Sequence, residues 1–118
     1  MEILQLRYKL WLEKEGEKAF GDGPIDILRR VERTGSLRKA AEEINMSYSQ
    51  AWNLMKSLEK RLGFPLLKRR VGGERGGGSE VTAEARELMA KYEIFCQRAA
   101  QSLNSLYREV FEKFEEED

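Results

Sequence analysis

The sequence predicts a mainly α-helical fold with a small β component, and three observations support this prediction. Two short stretches between residues 36 and 62 repeat apolar side chains at helical spacing. Breaks rich in glycine and proline separate them from segments that alternate apolar and polar residues, as β-strands do. From residue 82 onward, helical spacing continues almost to the last residue. With 118 residues, the chain is long enough for one domain with a buried core.

The two short stretches are expected to form a pair of helices joined by a tight polar turn. Ser36 can cap the first helix, because its hydroxyl can accept a hydrogen bond from an amide of the first turn. Its apolar stripe is Leu37, Ala40, Ala41 and Ile44. Asn45 tolerates the turn, and Ser47 can cap the second helix. The second stripe is Ala51, Leu54, Met55, Leu58 and Leu62, and Gly63 with Pro65 stops the helix.

This layout is that of a helix-turn-helix, whose second helix enters the major groove of DNA. Two ordinary helices of an α-helical core, with a solvated outer face, are the alternative. Glutamine and asparagine can pair bidentately with adenine, and lysine binds guanine or phosphate. We assign base reading to Ser47, Tyr48, Ser49, Gln50, Asn53 and Lys56. Trp52 fits a place in the core under the helix as well as a place facing DNA.

Positive charge is concentrated around this helix pair. The whole chain has 21 basic and 21 acidic residues and no net charge. From Arg29 to Arg75, however, twelve basic residues stand beside five acidic ones, a net charge of +7. A DNA-facing surface needs such a distribution, although a solvated basic face without a partner is the alternative. Phosphate contact is assigned to Arg38, Lys39, Lys68, Arg69, Arg70 and Arg75.

The same residues carry a resemblance to known regulators. Gly-Ser-Leu-x-x-Ala-Ala followed by Leu-Glu-x-x-Leu-Gly-x-Pro-Leu-x-x-Arg, between Gly35 and Arg69, resembles the winged helix-turn-helix of LysR-type proteins. Ser47-Tyr48-x-x-Ala51-Trp52, with the glycines of residues 72–78, looks like the DNA-binding domain of the ModE family of molybdate-responsive repressors. The resemblance implies a repressor that binds double-stranded DNA as a homodimer. ModE proteins carry C-terminal molybdate-binding domains, which we expect this chain to lack. The regulator would then act without sensing an effector, or sense it through a separate effector-sensing protein or through a ligand bound at the dimer interface.

Residues 2–21 are expected to form an N-terminal β-hairpin. The apolar residues that alternate with polar ones are Leu4, Leu6, Tyr8, Leu10 and Leu12. The turn is expected within residues 13–18, and residues 19–20 return as the second strand. A helix over residues 3–12 is the competing interpretation. Helices over residues 24–62 would then form a three-helix core.

Residues 66–82 are expected to form a wing, a two-stranded β-ribbon that follows the helix pair. Residues 66–71 would be the first strand and residues 80–82 the return, with a glycine-rich loop between them. A basic ribbon of this kind can follow phosphates or enter a minor groove. The loop lacks the lysine of a phosphate-binding loop and does not open a βαβ unit, which excludes nucleotide hydrolysis. A flexible linker is the alternative for this loop.

Residues 82–118 are expected to form a long dimerisation helix beyond a DNA-binding domain of residues 1–81. The apolar seam of this helix is longer than one small domain can bury, and a second copy of the helix would cover it. The expected dimer interface contains Leu88, Tyr92, Phe95, Ala99, Leu103, Leu106 and Val110. Packing on the chain's own hairpin is the alternative.

The composition argues against an enzyme and against a membrane protein. No histidine is present, which excludes histidine-based catalysis and, with a single cysteine, the usual zinc sites, so we expect no metal or cofactor. No apolar run approaches the roughly 20 residues of a membrane span. Cys96 is expected to be a buried thiol in a reducing cytoplasm. The expected function is sequence-specific transcription regulation. A small protein–protein adaptor and a nonspecific nucleoid-associated DNA binder are the alternatives.

Overall fold

The computed structural model describes residues 4–71 and 78–116, with side chains up to residue 112. Its elements are β1 (Trp11–Lys14), β2 (Glu17–Gly21), α1 (Asp22–Thr34), α2 (Leu37–Glu43), α3 (Tyr48–Leu62), β3 (Leu67–Arg70), β4 (Gly78–Val81) and α4 (Ala83–Glu116). They confirm a mainly helical winged helix-turn-helix with a long C-terminal helix. The chain forms two compact units, one from Trp11 to Met89 and one that joins the residues up to Leu10 with the helix from Ala90 onward.

The core of the first unit lies among α1, α2 and α3. The stripes predicted from helical spacing face this core. Their residues are buried except for Ile44, Leu54 and Leu62, which are half-buried. Leu28 and Val31 of α1 are completely enclosed. Ala40 and Ala41 have no exposed surface, and their small side chains let α2 and α3 cross at close range. Other elements complete this core with the buried side chains Phe20, Leu66, Val81, Ala85 and Met89.

Short-range caps explain where the helices begin and end. The Ser36 hydroxyl accepts a hydrogen bond from the Lys39 amide at 3.1 Å, which confirms the predicted start of α2. The Thr82 hydroxyl accepts one from the Ala85 amide at 3.1 Å, at the start of α4. Gly63 ends α3 with a φ of 85°, a left-handed conformation that favours glycine.

The N-terminal hairpin is shorter than the sequence suggested. β1 and β2 pair antiparallel around the two-residue turn Glu15–Gly16, whose φ values of 53° and 82° are those of a type I′ turn. The register shifts between Leu12 and Glu13, which leaves Ala19 as an extra residue on β2. This bulge lets Ala19 and Phe20, neighbours in the chain, both be buried.

Residues 4–10 do not form the strand that their alternating pattern predicted, and they do not form the competing helix. The last pair of the hairpin joins Trp11 to Gly21, and α1 begins at the next residue, Asp22. Residues 4–10 pair with no strand in the part of the chain that the structure describes, so their backbone groups need other partners.

Two tyrosine hydroxyls of α4 supply such partners. Tyr92 donates to the carbonyl oxygen of Leu10 at 2.9 Å, and Tyr107 donates to that of Leu4 at 3.2 Å. The two tyrosines are separated by about 22 Å along the helix, at 1.5 Å per residue. Six residues span that length only when nearly fully extended. Residues 4–10 therefore run extended and antiparallel to α4.

The wing has the predicted topology. β3 and β4 pair antiparallel from Leu67–Val81 to Arg70–Gly78, so the return strand begins two residues earlier than predicted. The glycine-rich loop of residues 72–77, with Arg75, lies outside the described residues. Among the residues that the structure describes, no helix is long and apolar enough to cross a membrane.

The apolar residues of α4 lie on two sides of the helix, one buried or half-buried and the other exposed. Tyr92 is buried within the chain, and Leu88, Ala99, Leu103 and Cys96 are half-buried. Phe95, Leu106 and Val110 are 54%, 53% and 64% exposed. The seam expected for a dimer thus combines residues of both sides, because spacing alone cannot show which side the N-terminal segment covers. Cys96 is half-buried instead of lying in the core.

Candidate nucleic-acid interface

The second helix of the pair, α3, presents a polar face to solvent. Its buried side carries Ala51, Met55 and Leu58, three or four residues apart. At 3.6 residues per turn, Ser49, Asn53, Lys56 and Lys60 share the opposite side, and all four are exposed. This stripe offers hydroxyl, amide and ammonium groups along one line.

Ser47 and Gln50, both assigned to base reading, form a capping box at the start of α3. The Ser47 hydroxyl accepts from the Gln50 amide N–H, and the Gln50 side-chain oxygen accepts from the Ser47 N–H, each at 3.1 Å. The Ser-x-x-Gln spacing is a known signal for this motif that the sequence analysis did not use. Both side chains therefore hold the first turn of α3, and either must leave the box before it can contact a base.

Two aromatic rings border the polar stripe, and each has a cation near its face. The guanidinium carbon of Arg38 lies 4.4 Å from the centre of the Tyr48 ring. The Lys56 ammonium lies 5.4 Å from the centre of the Trp52 ring. Trp52 is 44% exposed, so it faces outward and is not core filler. Cation–π attraction keeps both cations at this surface.

A groove of about 730 Å³ separates α3 from the wing. The start of α2 forms one end of it, and the strands β3 and β4 form the far wall. Its lining includes Arg38, Tyr48, Trp52, Lys56, Lys68, Arg69, Arg70 and Ser79. The groove thus brings together six of the twelve residues predicted to contact DNA, from three separate elements.

Glu59, which sequence reasoning did not single out, joins α3 to the wing. One oxygen of its carboxylate accepts hydrogen bonds from the amides of Leu66 and Leu67, at 2.7 and 3.2 Å. The other oxygen lies 3.2 Å from the Lys56 ammonium. Glu59 therefore sets where β3 starts and also orients one cation of the polar stripe.

The wing also contacts the turn between α1 and α2. The Ser79 amide donates to the Gly35 carbonyl oxygen at 2.9 Å. A Cβ on Gly78 would lie 2.4 Å from that same oxygen, so only glycine fits there. The Arg70 guanidinium packs against Gly35, within 3.1 Å of the position that a Cβ would take. These contacts fix the second strand of the wing against the helix pair.

The basic side chains of β3 differ in availability. The Lys68 ammonium lies 3.3 Å from the Glu80 carboxylate on the facing strand, and Arg70 is packed on Gly35. Arg69 is exposed and has no ion pair within the part of the chain that the structure describes. Arg69 is therefore the cation of this strand with the fewest competing contacts.

An ion cluster ties α1 to α2. Glu43 accepts hydrogen bonds from Arg33 and Arg30, and Arg30 also bonds Asp26 at 3.1 Å. The bonds from Arg33 and then Arg30 lower the pKa of Glu43, and the bonds to Glu43 and Asp26 raise the pKa of Arg30. Four charges of this cluster are thus used in holding the two helices together.

The region that forms this interface matches known proteins in sequence. Residues 25–86 match the family described as "Bacterial regulatory helix-turn-helix protein, lysR family". The chain is 32% identical, over 105 residues and 86% of its length, to the molybdenum transport protein ModE of Azotobacter vinelandii. It is 33% identical, over 70 residues and 59% of its length, to the transcriptional regulator ModE of Haemophilus influenzae. The matches span only 39% and 28% of those two relatives.

The fold also matches a solved structure. The crystal structure of the CbnR_DBD–DNA complex aligns with 73% of this chain and 93% of its own chain, with a TM-score of 0.50. The sequence identity is 22%, so this likeness concerns the fold.

Proposed function

Because the chain belongs to the LysR family of bacterial regulatory helix-turn-helix proteins, we propose that it is a DNA-binding transcription regulator whose α3 enters the major groove. One observation carries the proposal: the polar outer face of α3 borders a groove whose other wall is a basic β-ribbon. A helix supplies contacts to base edges, and a basic ribbon beside it supplies contacts to phosphates. No enzymatic step is part of this function.

Base reading is proposed for the exposed stripe of α3. Asn53 can pair bidentately with adenine, Lys56 can bind guanine, and Ser49 can bond either edge. Tyr48 borders the stripe with its ring under Arg38. Ser47 and Gln50 stay candidates only if the capping box opens on binding.

Phosphate contact is proposed first for the cations with few competing contacts, Arg38, Lys39 and Arg69. Lys68 is ion-paired with Glu80, and Arg70 packs against Gly35. Each is therefore expected to contribute less to phosphate binding than the first three cations. Arg75 remains a candidate from its charge and position in the sequence. Each phosphate that a cation neutralises makes the slope of log K against log salt steeper by about 0.9.

A homodimer is part of the proposal, with α4 as its interface. Phe95, Leu106 and Val110 form an exposed apolar strip, and a second copy of the same helix is an economical cover for it. Tyr92 bonds Leu10 of its own chain, so we assign it an indirect role. A symmetric dimer would bind a pseudo-palindromic site with half-sites one or more helical turns apart. Repression from this site in the cytoplasm is the proposed outcome.

A mobility-shift titration on the promoter of the protein's own operon, with random duplex as competitor and salt varied, tests the function. Retention of the promoter against the competitor is expected. Asn53→Ala should cost about 1–3 kcal/mol of discrimination, while Arg69→Ala should weaken binding to both duplexes and lower the salt slope. Lys9→Ala removes an exposed cation far along the chain from this site and serves as the control.

Other outcomes point to the alternatives. Equal affinity for promoter and competitor would favour nonspecific coating of DNA. Absence of binding at low salt would overturn the regulator and leave the protein–protein adaptor.

A further inference from the structure

A second cleft lies on the other side of α3 from the wing. It has a volume of about 440 Å³ and is enclosed by the turn of the N-terminal hairpin and the C-terminal half of α3. Its lining consists of Lys14, Glu15, Glu17, Ser57, Lys60 and Arg61. Only Lys60 also belongs to the polar stripe of α3, and the other five residues lie outside the interface assigned above.

The hairpin is fixed in place at this cleft by Arg61. The Arg61 Nε lies 2.9 Å from the Glu17 carboxylate, and a second nitrogen of the guanidinium donates to the Lys18 carbonyl oxygen at 2.7 Å. Two bonds from one planar group hold both position and orientation. The charges of Arg61 and Glu17 are thus used in attaching β2 to α3.

The two remaining cations of the cleft have no such partner. Lys14 and Lys60 are both exposed, and neither makes an ion pair within residues 4–71 and 78–116. Two ammonium groups that line one cleft repel each other unless an anion lies between them. Ser57 adds a hydroxyl donor, and Glu15 adds one opposing carboxylate at the turn. The cleft therefore offers several donors and two free positive charges to an anion.

The position of the cleft identifies that anion. Ser57 and Arg61 lie on the opposite side of α3 from Trp52 and Glu59, since each residue turns the helix by about 100°. The outer face of α3 therefore lies between two hairpins. A duplex that takes α3 into its major groove presents one sugar–phosphate backbone on each side of the helix.

We propose that this cleft binds a backbone phosphate of the DNA strand opposite to the one contacted by the wing, through Lys14, Lys60 and Ser57. The inference rests on the proposed function, because it needs α3 in the major groove. It makes the N-terminal hairpin a second phosphate clamp and requires contacts on both strands at each half-site. Glu15 opposes the phosphate and moderates the affinity.

The test measures binding of the full chain to a fluorescently labelled random-sequence duplex across a series of salt concentrations. Lys14→Gln and Lys60→Gln should each lower the slope of log K against log salt by about 0.9. Glu15→Gln should raise the affinity, because it removes the opposing charge. Lys18→Gln is the matched control, since its side chain lies in the same hairpin but turns back toward Gly21. Thermal melting of each variant confirms that it folds.

The outcomes separate the two proposals. If the wild-type chain binds with a steep salt slope and both lysine variants behave like Lys18→Gln, the phosphate cleft is overturned and the regulator stands. If Glu15→Gln lowers the affinity, the cleft is overturned as well. If the wild-type chain binds no duplex at low salt, both proposals fail together.

Discussion

The two hairpins beside α3 are attached to the molecule in different ways. The wing is held mainly through main-chain groups: Glu59 accepts from two amides at the start of β3, and the Ser79 amide donates to the Gly35 carbonyl. The N-terminal hairpin is held largely through its side chains, with Glu17 bonded to Arg61 and Phe20 buried in the core, and through one main-chain group, the Lys18 carbonyl that accepts from Arg61.

This difference in attachment determines which side chains remain available to bind a ligand. Main-chain attachment leaves Arg69 of β3 available, while Lys68 is paired with Glu80 and Arg70 packs against Gly35. The N-terminal hairpin uses the charged side chain of Glu17 for its attachment, while the exposed Lys14 makes no ion pair within the described residues. Replacement of Arg69 therefore removes no attachment of the wing, whereas replacement of Glu17 removes one attachment of the N-terminal hairpin.

The largest expected effect is that of Glu59→Ala, which removes the attachment of the wing at the start of β3. Glu59 is only 12% exposed, and its loss leaves two amides without an acceptor, for a destabilisation of about 3 kcal/mol. Urea unfolding measures this change. Glu42→Ala, an exposed glutamate of α2, should change the free energy of unfolding by less than about 0.5 kcal/mol. Equal effects of the two variants would show that the wing does not depend on this carboxylate.

Next in size is Gly78→Ala, which tests how closely the wing approaches the α1–α2 turn. The new Cβ would clash with the backbone oxygen of Gly35, so a destabilisation of about 2 kcal/mol is expected. Gly23→Ala is the control, because a Cβ there meets nothing within 4 Å apart from its chain neighbours, of which Pro24 disfavours a helical backbone at a residue that carries a Cβ. The midpoint of thermal unfolding should fall further for Gly78→Ala than for Gly23→Ala. Equal shifts of the two midpoints would contradict the close approach.

Arg61→Ala is expected to cost about 1 kcal/mol, because it removes one charged hydrogen bond and one exposed ion pair. Hydrogen exchange should show faster opening of β1–β2 while the wing is unchanged. Glu17→Gln keeps the bond from Arg61 to the Lys18 carbonyl and should have a smaller effect. If the wing opens as well, the two hairpins are not independent.

The smallest effect concerns the ion cluster between α1 and α2. The bonds from Arg33 and Arg30 lower the pKa of Glu43, so its contribution to stability is present above the ordinary pKa of glutamate and is lost as the pH falls through the lowered value. Urea unfolding of Glu43→Gln should therefore depend less on pH in the acid range than that of the wild-type protein. Parallel pH profiles would show that the cluster does not contribute.

Local signals in the sequence predicted most of the fold. Ser36, Thr82 and Gly63 act on helix ends within a few residues of themselves, so the helix bounds could be predicted without knowledge of the tertiary structure. Helical spacing likewise identified the buried faces of α2 and α3. The wing was predicted from the glycine-rich loop and from the strand-like pattern of the residues on either side of that loop.

Long-range partners could not be predicted in the same way. Arg61 bonds residues more than forty positions away, and nothing near it in the sequence identifies them. The strand predicted for residues 4–10 failed because alternation does not show whether a pairing strand exists. The seam of α4 was assigned to one face, although Tyr92 is covered by its own chain and Phe95 is open. Among the site residues, Glu59 was missed because its two acceptor bonds go to main-chain groups.

The tyrosine anchors of residues 4–10 have a consequence for sequence divergence. Both hydroxyls bond main-chain carbonyl oxygens, which every amino acid provides. Substitutions at positions 4 and 10 therefore preserve the anchors, whereas loss of either Tyr92 or Tyr107 removes one. The two anchoring bonds thus place no requirement on side-chain identity at positions 4 and 10, but they require a hydroxyl donor at positions 92 and 107.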